Sequence, residues 1–225
     1  MSMTSPVNNG DDPGHRMIIS FMTLRKAVGI LGIALPFACV IGASVLSRCY
    51  CIEISISFYF YTKMGGFLVG TLSSLGIFFL SYNGYDKWDI LTSKTAGSFA
   101  ILIALFPARK SAGFSMCDII QRPASQFSDN VHSVATALFF VDLICMSLFL
   151  FTKDDGHPTA RKLQRNIVYR ICGYVMLVSA ILLGICHMGW LPGWNSWDPI
   201  LVFETVALIA FGTSWLTKGQ GILKD

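Results

Sequence analysis

Asp142 stands in the middle of an apolar run, eleven residues from Val131 and nine from Phe151. An ionisable side chain at that depth is costly in hydrocarbon and is a default functional candidate. Two readings follow. Asp142 bonds a Ser, a Thr or a backbone carbonyl of a neighbouring helix, or it relays protons or cations. Glu204, His132 and His187 lie near the ends of other apolar runs, with Asp129 and Asp198 just beyond them. Threaded as below, these five fall at one membrane face. Asp142, Glu204 and His132 are therefore the candidate ligand or ion pathway. The alternative set is a metal site of His132, His187 and Glu204, because imidazole nitrogen and carboxylate oxygen both suit zinc. A bound metal would lower the pKa of its water to about 7 and supply a nucleophile. No H-x-x-x-H or H-E-x-x-H pair fixes two such ligands on one helix face.

Other chemistries leave no motif. There is no nucleophile elbow, no Gly-rich phosphate loop and no Cys-x-x-Cys pair. The hydroxyls of Ser55 and Ser57 could partner His132, although no spacing specifies it. Seven cysteines are present. Cys39, Cys145, Cys172 and Cys186 fall in apolar runs and read as small fillers. Cys49, Cys51 and Cys117 fall in loops, and a bridge from Cys49 or Cys51 to Cys117 fits an oxidising outside.

The elements that position these residues are set by composition. Of 225 residues, 53% are hydrophobic and 13% are charged. That is about half the charge of a soluble protein, which excludes a disordered chain and an ordinary soluble enzyme. A spanning helix needs about 20 mostly apolar residues. Six segments fit: 27–46, 64–82, 91–107, 131–151, 168–190 and 199–217. The expected fold is an all-α membrane protein, a six-transmembrane-helix bundle. Pro36 removes one backbone bond inside the first segment and should kink it. Of the 17 basic residues, 12 fall on the side of the two termini and 5 on the other. That bias places both termini in the cytoplasm. The net charge of +4 is thus a topology signal, and no nucleic-acid partner is expected.

Residues 1–23 read as a disordered cytosolic tail, 24–218 as the transmembrane domain and 219–225 as a short cytosolic tail. The 1–23 stretch is too long and mixed for the basic start of a signal peptide. After the first span, Ile52, Ile54, Ile56, Phe58 and Phe60 alternate with polar residues and tyrosines. This period of two predicts an extended segment, or a Tyr-rich interfacial belt. Trp190, Trp194 and Trp197 read as the same belt. Asp89 is the expected N-cap of the third helix. Gly66 and Gly70 form a G-x-x-x-G, and Ala96, Ala100 and Ala104 line one helix face. Both let backbones approach. Packing inside the monomer is the first reading of the glycines, and a homo-oligomer face the second. Arg161, Lys162, Arg165 and Arg170 could hold anionic lipid, each near-surface cation contributing about 1 kcal/mol. No Asn-x-Ser/Thr sequon occurs, which fits a bacterial source.

The strings SISFYFYT, GFLVGTLSSLGIFFLSYNGYD, AGSFAILIALFP, HSVATALFF with SLFLFTK, and SWLTKGQ resemble, in that order, a family of small bacterial membrane proteins of unknown function. The resemblance covers Ser55 to Gln220 and implies a six-helix protein of the cytoplasmic membrane. It implies no activity and no cofactor. The positions matching the family's polar set are Ser55, Ser57, Asp86, His132, Glu204 and Lys218. The chain departs at Gly65-Gly66, where the family carries a polar or charged pair.

The expected function is a non-enzymatic module that binds or carries a lipid or small solute, or serves as an accessory. One alternative is a metal-dependent lipid hydrolase with an outer-leaflet site. The other is a structural subunit of a membrane complex.

Overall fold

The computed structural model describes residues 13–48, 50, 52–84, 86–110, 113, 115–154, 156–157, 159–188 and 199–223, with side chains from residue 21 onward. Six long helices account for most of them: α1 (Pro13–Ser47), α2 (Gly65–Ser81), α3 (Lys87–Leu105), α4 (Gln126–Cys145), α5 (Ala160–His187) and α6 (Pro199–Lys218). A 3-10 helix, Ile56–Tyr61, lies between α1 and α2, and a π-helical turn, Met146–Leu150, extends α4. Among the described residues the one isolated β-bridge joins Thr62 to Asp118. The regular structure of the described residues is thus all-helical, as the apolar runs predict.

Four helices are long and apolar enough to cross a membrane: α1 from Phe21, α4 with its π turn, α5 and α6. The α2 helix is apolar but only 17 residues long. The α3 helix has 19 residues and carries Lys87, Asp89 and Lys94. Lys94 is accommodated by reaching the Leu80 carbonyl near the end of α2, a backbone group that a helix C-terminus leaves open.

Polar caps set several helix starts earlier than hydropathy predicts. Ser125 accepts a hydrogen bond from Ser128 N and starts α4 at Gln126, ahead of the expected 131. Thr159 accepts from Lys162 N and starts α5 at Ala160, ahead of 168. Asp86, not Asp89, caps α3, accepting from the backbone N–H groups of Trp88 and Asp89. Hydropathy marks where lipid-like residues begin, whereas the cap marks where free N–H groups need a partner. The α1 helix begins at Pro13, inside the stretch read as a tail, and continues through Pro36.

Each helix packs on the next, and α6 returns against α1 to close the bundle. Paired glycines make the tightest approaches. A Cβ on Gly29 would lie 2.7 Å from the Gly212 carbonyl, and one on Gly97 would lie 2.7 Å from the Gly76 carbonyl. Ala96, Ala100 and Ala104 are buried, as their spacing suggests. The reading of Gly66 and Gly70 as packing within the monomer is corrected. A Cβ at either meets nothing within 4 Å, because the pattern permits a close neighbour without saying that one is there.

One end of the bundle is an aromatic cluster. Trp215 of α6 lies 5.4 Å from Phe79, 5.6 Å from Tyr82 and 5.2 Å from Phe151, ring centre to ring centre. Buried Arg25 of α1 donates to the Tyr82 hydroxyl at 3.0 Å and stacks over Phe21 at 4.4 Å. Lys218 lies 5.0 Å from the centre of the Phe151 ring. The start of α1 and the ends of α2, α4 and α6 therefore share one end, so the helices alternate in direction.

Candidate functional site

At the opposite end, residues 52–64 fold down over the helix ends and form a cap. The alternation of this stretch predicted an extended segment; from Ile56 to Tyr61 the structure has a 3-10 helix instead. Ser55 caps the 3-10 helix by accepting from Ser57 N, and Ile56, Tyr59 and Tyr61 point into the protein. The Tyr59 hydroxyl accepts from Glu53 N at 3.2 Å, and Tyr61 donates to the Ala108 carbonyl at 2.7 Å. Buried hydroxyls thus find backbone partners, which is the usual condition for burying tyrosine. Trp190, Trp194 and Trp197, read as part of the same belt, lie outside the described residues.

The cap is fastened from the 106–125 connection. Lys110 lies 2.7 Å from Glu53 and 2.6 Å from Asp118, and the three side chains are 5%, 5% and 0% exposed. Ser115 adds bonds from its hydroxyl to Glu53 and from its N–H to Asp118. Burial works against the Lys110 charge, but the hydrogen bonds and charges of Asp118 and Glu53 outweigh it and hold its pKa above the ordinary lysine value. The backbone N–H groups of Ile119 and Ile120 both donate to the Tyr61 carbonyl. Cys117, in the same connection, is disulfide-bonded, while Cys39, Cys145, Cys172 and Cys186 are free. Cys49 and Cys51 lie outside the described residues.

Beneath the cap is a cavity of about 70 Å³. Its described wall has sixteen residues, of which twelve are apolar, among them Leu35, Phe60, Leu68, Leu72, Ala104 and Phe139. The other four are Ser57, His132, Thr136 and Glu204. Glu204 of α6 accepts from the Ser55 hydroxyl at 2.8 Å and from Ile56 N at 2.6 Å. That fixes the backbone on which Ser57 sits. His132 of α4 is held at both ring nitrogens, Nδ1 2.9 Å from the Phe106 carbonyl and Nε2 3.0 Å from Ser57 Oγ. The carbonyl can only accept, so Nδ1 carries a proton. In the neutral ring, Nε2 then accepts from the Ser57 hydroxyl. Thr136 lies four residues from His132, on the same face of α4. Its Oγ1 is buried without a hydrogen-bond partner.

Of the three predicted pathway residues, the structure brings His132 and Glu204 to one cavity and keeps Asp142 apart. Asp142 is ten residues beyond His132, about 15 Å along the helix axis. It faces Thr95 of α3, with Oδ2 buried and unpartnered. His187 is exposed in the last turn of α5 and is not part of the cavity wall. Among the described residues, no three His, Cys, Asp or Glu side chains are grouped to hold a metal. Arg161 and Arg170 are exposed, and Arg161 Nη1 reaches Gln164 at 3.4 Å. Lys162 turns inward to the Phe151 carbonyl at 2.7 Å, and Arg165 is half-buried. Ser55, Ser57, His132 and Glu204 gather at the cap, whereas Asp86 and Lys218 lie at the aromatic end. There Lys153 joins Asp86 at 2.7 Å and Asp89 at 3.4 Å.

Sequence reasoning missed the Lys110–Glu53–Asp118 cluster, whose members lie in two separate loops without local signal. It also passed over Thr136, which the four-residue spacing from His132 could have flagged. No protein-family model, curated protein or solved structure matches the chain.

Proposed function

We propose that this chain is a six-span protein of a bacterial cytoplasmic membrane, with both termini in the cytoplasm, that binds the apolar chain of a lipid in the cavity beneath an outward-facing cap. Three observations support the threading. The helices alternate in direction, the basic residues favour the terminal side by 12 to 5, and the charged residues of α3 cluster toward its start. At 1.5 Å per residue, α2 and α3 are about 26 and 28 Å long, close to the roughly 30 Å of hydrocarbon.

The observation that carries the binding reading is the make-up of the wall, twelve apolar residues with four polar ones bonded to or near the cap. A volume of about 70 Å³ is half that of an engineered cavity of about 150 Å³ that admits benzene. It takes a short length of chain, not a whole lipid. A lipid tail gains little by leaving one hydrocarbon for another, so selectivity falls to Ser57, His132, Thr136 and Glu204.

Photocrosslinking in liposomes containing a diazirine-bearing phospholipid tests this. Adducts are expected on peptides holding Leu68–Leu72 and Ile103–Ala104. They should fall several-fold in Val69→Phe or Ala104→Leu, which fill the cavity. Adducts confined to outward residues such as Ile41 and Val45, unchanged by either substitution, would remove the proposal.

A further inference from the structure

We propose that Ser57 and His132 form a nucleophile–base pair that hydrolyses a long-chain carboxylic ester whose acyl chain places a short length in the cavity. This rests on the reading of the cavity as an acyl-chain site. The signature of an activated serine is a hydroxyl within reach of a base that a third group orients. All three parts are present on three different elements. Ser57 Oγ lies 3.0 Å from His132 Nε2, and the Phe106 carbonyl holds Nδ1 at 2.9 Å. The carbonyl fixes the tautomer that leaves Nε2 free to accept, the role a carboxylate fills in a Ser-His-Asp triad. Ser55 is unsuited to the same task because its hydroxyl is donated to Glu204.

A histidine that merely ties the cap to α4 would explain the two bonds alone. It would not explain why both partners line a largely apolar cavity, nor the orphan hydroxyl beside them. Thr136 Oγ1 is buried with no hydrogen-bond partner in the protein, which leaves it open to a water or a substrate oxygen in the cavity. A hydroxyl one helical turn from the base, on the same wall, is placed to donate to a carbonyl oxygen that gains negative charge.

The chemistry balances with water as the second reactant. Ser57 Oγ attacks the ester carbonyl carbon while Nε2 takes the hydroxyl proton. The carbon–oxygen bond to the alcohol then breaks, and Nε2 returns the proton to the departing alkoxide. Water attacks the acyl-Ser57 ester, Nε2 accepts the water's proton, and Ser57 leaves with it as the free hydroxyl. The products are a carboxylic acid and an alcohol.

The test uses the full chain in liposomes with two probes, a long-chain alkyl fluorophosphonate and a long-chain p-nitrophenyl ester. Phosphonylation mapped to Ser57 and release of p-nitrophenol are both expected, and both should vanish in Ser57→Ala. His132→Gln keeps groups that can bond Phe106 and Ser57 but lacks a base. It should slow phosphonylation on the order of 100-fold. Thr136→Val should slow ester turnover by a similar factor. Photocrosslinking with the diazirine phospholipid is run on the same samples. Crosslinking in the cavity without phosphonylation of Ser57, or without ester turnover, overturns the nucleophile and leaves the binding site standing. Loss of cavity crosslinking in the unsubstituted protein overturns both.

Discussion

Gly29 of α1 and Gly212 of α6 face one another so closely that a Cβ on Gly29 would lie 2.7 Å from the Gly212 carbonyl oxygen and 2.8 Å from Leu216 N. Both neighbours are backbone atoms, which cannot swing aside as a side chain would. Gly29→Ala should therefore cost about 1–3 kcal/mol through overpacking. Gly70→Ala, on an open face of α2, should leave stability no lower, since alanine is the better helix former. Unfolding midpoints in detergent check the contrast. Equal midpoints for the two variants would mean that the α1–α6 contact is looser than described.

The cap depends on one ammonium. Lys110→Met removes the charge between Glu53 and Asp118, leaving two carboxylates buried 2.7 and 2.6 Å from its former position. Removing one member of a buried ion cluster typically costs about 3–5 kcal/mol. The expected result is a large drop in the unfolding midpoint and faster proteolysis within 52–64. A variant as resistant as the parent would show that the cap is held by its other contacts.

The two ion clusters should respond to opposite ends of the pH scale. The pKa of Asp86 is lowered, first by the hydrogen bond from Lys153 and then by the Asp89 N–H. A lowered carboxylate contributes stability that is present above its ordinary value and is lost as pH falls through the folded value. The pKa of Lys110 is raised, so its contribution is present below the ordinary lysine value and is lost as pH rises through the folded one. In unfolding midpoints measured against pH, Asp86→Asn should flatten the acid limb and Lys110→Met the alkaline limb.

Glu204 is the acceptor that seats the start of the 3-10 helix. Glu204→Ala strands the Ser55 hydroxyl and the Ile56 N–H, a loss of about 1–3 kcal/mol for each buried group left unpaired. Glu204→Gln keeps one carbonyl oxygen and should lose less. Hydrogen exchange at Ile56 and Ser57 should rise most in the alanine variant. Equal exchange in both would separate Glu204 from the seating of the cap.

The six apolar runs were legible because lipid-like composition is a local property that each segment carries by itself. Caps were legible as residue types but not always as positions, as Asp86 and Asp89 show. The cap segment was misread for a physical reason. Its alternation suggested an extended segment, yet residues 56–61 coil into a 3-10 helix, and Glu53 is 4% exposed where Ile52 is 48% exposed. The polar side chains turn inward because Lys110 and Glu204, distant in sequence, supply partners there. For the same reason His132 and Glu204 could be suspected one by one, while the Ser57 bond that gives His132 its geometry could not be specified. Asp142 was conspicuous in sequence through its depth alone, and depth does not reveal which face of α4 it occupies.

The π-helical turn at Met146–Leu150 sets the angular phase of α4. Phe151 N bonds back to the Met146 carbonyl, five residues away, so the turn holds one residue more than an α-helical one. Every later side chain is thereby rotated about 100° from where an unbroken α-helix would aim it. Above the turn, α4 directs His132, Thr136 and Phe139 at the cavity. Below it, Phe151 meets Trp215, and within it Ser147 reaches Tyr169 and Ser214. This one supernumerary residue marks the place where α4 passes from furnishing the cavity to furnishing the aromatic end of the bundle.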